Sequence, residues 1–262
     1  MQNEDYEKAE LILHSALQMA QDLDFESAQT YIYDILANNY LKKKDYKRAE
    51  QLFAVVFNHV INKGMEPNDE AIIEMSIKLS HIYSCLGDLE KSKTGFDFCL
   101  TEQNKRVQSF YDKSSDELTD GEINSLALLG MCYDYYAQHL SSIGQFDKSI
   151  DNYKTALDIC LKINGKTHPQ TLVLYNDLSA TYVHKKDYEN ALNYLKKAID
   201  GAVRSEDQNL AKYYYNIGSI YLLQFNKELA LKSCKESLSL TLNGNDKTLE
   251  KKVRQCITQS SN

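Results

Sequence analysis

A short pattern recurs six times along the chain. It begins with an acidic or amide residue, continues with an aromatic or apolar residue and two further residues, and ends on a small side chain. The copies are 40, 43, 57, 42 and 39 residues apart, and the last copy is the weakest. A spacing of this size indicates a chain built from stacked, similar units. The small residues are Ala9, Ala49, Ser92, Ser149, Ala191 and Ala230.

Each copy of the pattern predicts the start of a helix. Asp45, Asp88, Asp187 and Asn226 have side-chain oxygens that can accept hydrogen bonds from the free amides of a first helical turn. The small residue then lies within that helix, at a position where a neighbouring helix can come close. We call these the second helices of helix pairs.

A first helix is predicted about a dozen residues before each second helix. Its signature is a tyrosine, a small residue four positions later and often another tyrosine three positions after that, as in Tyr33, Ala37 and Tyr40. Residues four and seven apart share one helix face, so the small residue permits close packing while the large ones fill the space around it. One pair cannot bury its apolar face alone, so pairs stack. The small residues of the first helices are Ala37, Ser80, Ala137, Ser179 and Gly218.

These patterns predict an all-α fold, a right-handed superhelix (solenoid) of about five helical hairpins, as a single domain over residues 1–262. A half repeat at about 5–22 precedes pairs at about 27–62, 69–104, 120–163, 168–203 and 207–242, and a capping helix at about 246–258 follows. The half repeat suggests that the chain begins inside a repeat. The long gap between copies predicts an insertion at 101–120, a helix extension followed by a mobile loop. The apolar stripe that the half repeat would expose is Ala9, Leu11, Ile12, Ala16 and Leu17.

Composition excludes several classes of function. A net charge of −7 disfavours nucleic-acid binding, which needs a basic footprint. No apolar run approaches the roughly 18–20 residues of a membrane span. The six cysteines form no CxxC pair, so we predict reduced, mostly buried thiols rather than a disulfide framework.

Motifs that carry catalysis are missing from the sequence. It contains no phosphate-binding loop, no dinucleotide fingerprint and no H-E-x-x-H. His81 and Cys85 lie one helical turn apart, but a zinc site needs further ligands. Cys85 and Cys132 have no evident base partner. We therefore predict no catalytic residue, no cofactor and no metal, and a protein that is not an enzyme.

The candidate binding surface is the concave face formed by the first helices. Its asparagine and glutamine side chains could hold the backbone of an extended peptide, although a merely solvated face remains an equal alternative. A clamp for a terminal carboxylate is disfavoured because the corresponding positions, among them Asp34, Asp134 and Asn176, include no lysine. The candidate residues are Asp34, Asn38, Lys42, Ile77, His81, Asp134, Gln138, Asn176, His184, Tyr215 and Ser219.

The helix-pair pattern resembles the tetratricopeptide repeat. That repeat is usually about 34 residues long. Most successive copies here are about 42 residues apart, which implies longer helices. Tyrosine mostly stands where the repeat has tryptophan, and alanine or serine stands where it has glycine, except at Gly218. Side-chain size is retained where identity is not.

Longer strings are similar to one family, that of mitochondrial tetratricopeptide repeat protein 19. They follow the family's order along most of the chain. The strings are AELILHSAL (9–17), YIYDILANNY (31–40), AEQLF (49–53), AIIEMSIKLSHIY (71–83), GFDFC (95–99), LLGMCYDYYA (128–137) and HPQTLVLYNDLSATY (168–182). Kinesin light chains share a helix like the last of these.

The resemblance implies a non-catalytic scaffold at the mitochondrial inner membrane that binds respiratory complex III (cytochrome bc1). It also implies support of the complex's assembly or maintenance, including clearance of Rieske iron–sulfur protein fragments. Members of the family are membrane anchored, through a segment that would lie upstream of this sequence. Two alternatives remain open: a cytosolic peptide- or cargo-binding adaptor of kinesin-light-chain type, and a hydrolase built on a helical repeat.

Overall fold

The computed structural model describes residues 2–244 and 246–261, and there it contains α-helices and one short 3₁₀ helix but no strand. The predicted all-α fold is confirmed. The helices are α1 (Gln2–Asp22), α2 (Glu26–Lys42), α3 (Tyr46–Asn62), α4 (Glu70–Leu86), α5 (Leu89–Val107), α6 (Asp120–Ser142), α7 (Phe146–Asn164), α8 (Pro169–His184), α9 (Tyr188–Ser205), α10 (Leu210–Leu223), α11 (Lys227–Gly244) and α12 (Lys247–Ser261).

The helices fall into two compact units, residues 1–109 and 110–262. The first contains α1 and the pairs α2–α3 and α4–α5. The second contains the pairs α6–α7, α8–α9 and α10–α11, followed by α12. The helix bounds agree with the predicted pairs to within a few residues, because turn and cap residues mark them clearly. The prediction of a single domain stays a prediction.

Side-chain caps begin the second helices where the sequence places them. The carboxylate of Asp45 accepts from the amide of Arg48 at 3.3 Å, and Asp88 and Asp187 make the same contact three residues ahead at 3.2 Å. Before the caps the chain turns through a residue with positive φ, for example Gly87 at +86° and Phe225 at +58°. This left-handed residue ends the first helix and lets the second return antiparallel to it.

The small residues of both helices lie at the helix–helix contacts. All five of those in α3, α5, α7, α9 and α11 are fully buried. In the second unit Ser149 lies in α7 against α6, and the surrounding core contains Tyr153, Leu172 and Leu195. The core of the first unit is centred on Leu36 and Phe53. Close packing of the pairs therefore rests on the pattern that predicted them.

Gly218 explains why the repeat's usual glycine survives at one place only. A Cβ on Gly218 would lie 2.4 Å from Sγ of Cys234 on α11. Cys234 forms a disulfide with Cys256 of α12, 22 residues further along the chain. The prediction of reduced thiols is therefore wrong for this pair, because stacking α12 on α11 brings together two cysteines that no sequence motif connects. The other four cysteines are free.

The half repeat α1 is only partly covered. Leu17 and Ala20 are buried against α2, whereas Leu11 and Ile12 are 70% and 69% exposed. Glu10 holds the helix in place by accepting hydrogen bonds from Tyr40 at 2.6 Å and Lys43 at 2.8 Å. Of the predicted apolar stripe, α2 therefore covers the C-terminal part.

Part of the predicted 101–120 insertion is regular structure. Its N-terminal portion extends α5 to Val107. The remainder includes a 3₁₀ helix, Ser115–Glu117, whose first turn is closed by reciprocal hydrogen bonds between Ser114 and Glu117. Lys113 pairs with Glu122 of α6 at 2.7 Å, so the segment is tied to the helix that follows it.

Candidate protein-binding face

The first helices of the second unit are joined by a chain of polar side chains. Asp134 on α6 accepts from Nε2 of Gln138 at 2.9 Å and from Nε2 of Gln170, on α8, at 3.2 Å. Both of its carboxylate oxygens therefore have an amide donor. We call the surface that carries these groups the polar face of α6, α8 and α10.

A second polar link connects α8 to α10. Asn216 donates from Nδ2 to Oδ1 of Asn176 at 2.6 Å, and Asn176 in turn donates to Oδ1 of Asp177 at 3.0 Å. Amide side chains suit this role because each carries both donors and an acceptor. The polar face is therefore continuous over three helix pairs.

A cavity of about 450 Å³ opens between α6, α7 and α8. Asp134, Gln138, Gln170 and Asp177 contribute polar groups to its lining, while side chains such as Met131 contribute apolar surface. A largely apolar hollow with a few converging polar groups is the usual form of a binding site in proteins.

Burial changes the acidity of the carboxyl groups at this cavity. Loss of solvent around Asp134, together with the nearby charge of Asp177, raises the pKa of its carboxyl to about 7 against the opposing hydrogen bonds from Gln138 and Gln170. Burial also raises the pKa of Asp177, opposed by its hydrogen bond from Asn176 and by the charge of Lys212. Burial thus disfavours the ionised form of both carboxyl groups.

The structure places the predicted residues of this unit in three settings. Asp134, Gln138 and Asn176 belong to the polar face. His184 is exposed at the end of α8, where its ring stacks on that of Phe146 with 5.4 Å between centroids. Tyr215 packs against the cluster around the disulfide, and Ser219 donates to the carbonyl of Tyr215 at 3.0 Å.

In the first unit the predicted residues lie on α2 and α4. Asn38 donates to Asp34, whose pKa is raised by burial. Lys42 is exposed. Burial lowers the pKa of His81 to about 4, and its Nε2 lies 3.6 Å from Sγ of Cys85.

Ile77 differs from the other candidates because it is fully buried. It therefore contributes to the core and offers no surface to a partner. The reason is that α4 is apolar on more than one side: Ile72, Ile73 and Ile82 are also buried. In such a helix, a residue one turn away from the packing stripe can also be buried.

Gln170, Asp177 and Asn216 belong to the polar face but were not predicted. A signal for two of them was present, since Gln170 and Asp177 are seven residues apart and share one side of α8. Asn216 follows the predicted Tyr215 directly. The sequence alone did not show which side of each first helix faces its neighbours.

The part of the chain that the structure describes contains no cluster of three or more histidine, cysteine, aspartate or glutamate side chains that could hold a metal ion. Within the same residues, no helix combines the length and apolar character needed to cross a bilayer.

Comparison with known proteins identifies the repeat and a group of similar proteins. Tetratricopeptide repeat models match residues 131–203 and 211–243. Mouse mitochondrial tetratricopeptide repeat protein 19 is 34% identical over 82% of this chain. Over most of its own length the chain is similar to mitochondrial tetratricopeptide repeat protein 19. The Drosophila melanogaster homolog of tetratricopeptide repeat protein 19 is 26% identical over 99% of this chain and 68% of its own length.

The chain spans 59% of the length of the mouse tetratricopeptide repeat protein 19 that it matches. Among solved structures, BtubC (BKLC) from P. vanneervenii is similar, with a TM-score of 0.68 and 16% identity over 92% of each chain. At that identity the likeness shows the fold alone.

Proposed function

We propose that this protein is a non-catalytic scaffold that binds respiratory complex III (cytochrome bc1) at the mitochondrial inner membrane. Its role there is to support the assembly or maintenance of the complex, including clearance of fragments of the Rieske iron–sulfur protein. The observation that carries the proposal is the 34% identity to mouse mitochondrial tetratricopeptide repeat protein 19 over 82% of the chain.

The structure supports protein binding as the mode of action. Tetratricopeptide and related solenoids present extended surfaces along their stacked helices for partners to bind. Here the polar face of α6, α8 and α10 offers amide and carboxyl groups with both donor and acceptor capacity. Amide groups in such positions can pair with the backbone of an extended segment.

A cytosolic adaptor of kinesin-light-chain type is the alternative function. The disulfide between Cys234 and Cys256 disfavours it, since disulfides are rare in cytosolic proteins. The identity to a relative named as mitochondrial also favours the first proposal.

Affinity purification tests the proposal. The protein, carrying an affinity tag, is incubated with mitochondria solubilised in mild detergent, and the recovered proteins are quantified by mass spectrometry. Subunits of complex III are expected to be enriched together over a tag-only control. Recovery of none of them, while the protein itself is folded and retained, would contradict the proposal.

A further inference from the structure

The cavity between α6, α7 and α8 has both apolar and acidic residues in its lining. Met131, Ile159, Val173 and Leu174 line it with apolar groups. The carboxyl groups of Asp134 and Asp177 lie in the same lining, and no lysine or arginine does. The cavity therefore combines apolar surface with acidic groups that have no lysine or arginine beside them in the lining.

One oxygen in this cavity has acceptor capacity that the protein does not use. Asp177 accepts from Asn176 through Oδ1, whereas no hydrogen bond to Oδ2 comes from the described residues. Lys212 of α10 acts on Asp177 through its charge, but Lys212 is exposed and the described residues show no ion pair between the two. Asp177 is only partly exposed, so a bound group that donates to its Oδ2 would add a hydrogen bond at a sheltered position.

We propose that this cavity receives one basic side chain, arginine or lysine, from a bound polypeptide segment. The inference rests on the proposed protein-binding function and specifies what the bound segment must carry. The aliphatic part of the side chain lies along Met131 and Val173, as long basic side chains commonly lie on apolar surface. Its guanidinium or ammonium group donates to Oδ2 of Asp177 and faces Asp134.

Other ligand classes fit the cavity less well. An anionic group would meet two carboxyl groups and no lysine or arginine in the lining. A metal ion would need more ligands, and the described residues provide no group of three or more side chains suited to one. A purely apolar side chain would offer no donor to Oδ2 of Asp177.

Proton release accompanies binding in this arrangement. A cation favours the ionised form of a nearby carboxyl, so the segment binds more tightly as pH rises through the raised pKa of Asp134. The other titratable groups that line the cavity or act on its carboxyls are Asp177 and His168 of the α8 region, Tyr135 of α6, Cys160 of α7 and Lys212 of α10.

The test uses three short peptides that differ only at their centre: acetyl-Ala-Ala-X-Ala-Ala-amide, with X arginine, lysine or citrulline. Citrulline has nearly the shape of arginine without its charge. Binding is followed by NMR of labelled methionine and isoleucine methyl groups. Met131, Ile159 and Ile163 report on the cavity, and Ile72 in the other unit serves as reference.

The arginine and lysine peptides are expected to shift the cavity methyl signals and leave Ile72 unchanged. The citrulline peptide should bind roughly tenfold more weakly or worse, since a charged hydrogen bond is lost. Equal binding of the citrulline and arginine peptides, or no shift with either basic peptide, would overturn the proposal. This comparison needs no substitution in the protein.

Two variants localise the effect. Asp177→Asn removes a charge at nearly constant shape and should weaken the arginine peptide by about tenfold. Asp158→Asn removes a charge from the exposed side of α7 and should leave binding unchanged. Equal affinity of Asp177→Asn and the wild type would contradict the assignment of the cation to this carboxyl.

Affinity purification of the same variants separates this inference from the proposed function. If the wild type and Asp177→Asn recover complex III equally, the proposed function stands and the basic-side-chain site does not contribute to it, which overturns the inference. If the wild type recovers no complex III, the proposed function fails and the peptide comparison alone decides the inference. If the wild type recovers complex III and Asp177→Asn does not, the result supports both the proposed function and the inference.

Discussion

Ser149 of α7 donates a hydrogen bond from its hydroxyl to the backbone carbonyl of Ala137 of α6 at 2.7 Å, where both residues are fully buried. The contact joins the small residues of the two helices of one pair. Ser237 makes a similar bond to the carbonyl of Ala211 at 2.7 Å. A buried serine at a contact between the two helices of a pair therefore adds a hydrogen bond to the close approach that a small side chain allows.

We expect Ser149→Ala to lower the free energy of unfolding by about 1 kcal/mol, because a buried hydrogen bond is lost while close packing is kept. Chemical denaturation monitored by circular dichroism measures the change. Ser142→Ala is the matched control, since Ser142 makes a 2.7 Å bond to the carbonyl of His139 at an exposed position. Equal effects of the two substitutions would show that the helix contact does not depend on the bond of Ser149.

Phe225 occupies the left-handed turn between α10 and α11 with φ of +58° and is 91% exposed. Its ring makes little contact, so the cost of this conformation is not repaid by burial. Phe225→Gly should raise the free energy of unfolding by about 1 kcal/mol. The reverse change at the equivalent position, Gly144→Phe, where φ is +77°, should lower it. Thermal melting of both variants checks the pair, and a lower melting temperature for Phe225→Gly would contradict the account.

The pH dependence of stability should have opposite signs at two buried groups. The folded-state pKa of Asp134, about 7, lies above the ordinary value of 3.8, so the folded protein binds the extra proton between these limits. Its contribution to stability therefore declines as pH rises from about 4 to 7. The pKa of His81 is lowered from 6.5 to about 4, so its contribution is lost as pH falls through that window.

Denaturation curves measured at several pH values between 4 and 8 separate the two groups. As the pH rises from about 4 to 7, the free energy of unfolding should fall less for Asp134→Asn than for the wild type. His81→Gln should lose less on acidification from pH 6.5 to 4. A wild-type pH dependence that neither substitution alters would show that these groups do not titrate as buried groups in the folded protein.

The disulfide between Cys234 and Cys256 links α11 covalently to α12. Proteolytic mapping without reductant should recover the Cys234 and Cys256 peptides joined, and reduction should separate them. Cys256→Ser should lower the free energy of unfolding by about 3 kcal/mol, the size expected for a loop of this length. Recovery of both peptides as free thiols, from protein purified under non-reducing conditions, would contradict the link.

Most of the fold could be predicted because the information is local. A cap such as Asp187 and a small residue such as Ala191 lie within five residues of each other, and each has a direct consequence for backbone and packing. The contact between Cys234 and Cys256 could not be predicted in this way. It depends on how the last two helices are stacked, which no nearby residue specifies.

The candidate site could be predicted in part. The positions of Asp134, Gln138 and Asn176 beside the packing stripe could be inferred from the sequence, whereas the burial of Asp134 and Asn176 could not. Ile77 shows the limit of that rule, since burial on a second side of α4 depends on neighbouring helices. Gln170 and Asp134 are 36 residues apart in the chain and lie on different helices, so only the packed structure reveals the hydrogen bond between them.

Site-specific photo-crosslinking tests whether the polar face of α6, α8 and α10 binds complex III. A photoreactive phenylalanine derivative replaces Gln138 on that face or, as control, the exposed Lys154 on α7. After illumination with solubilised mitochondria, we expect crosslinks to complex III subunits from position 138 and few from position 154. Crosslinks of equal yield from both positions, or none from 138 while 154 reacts, would contradict it.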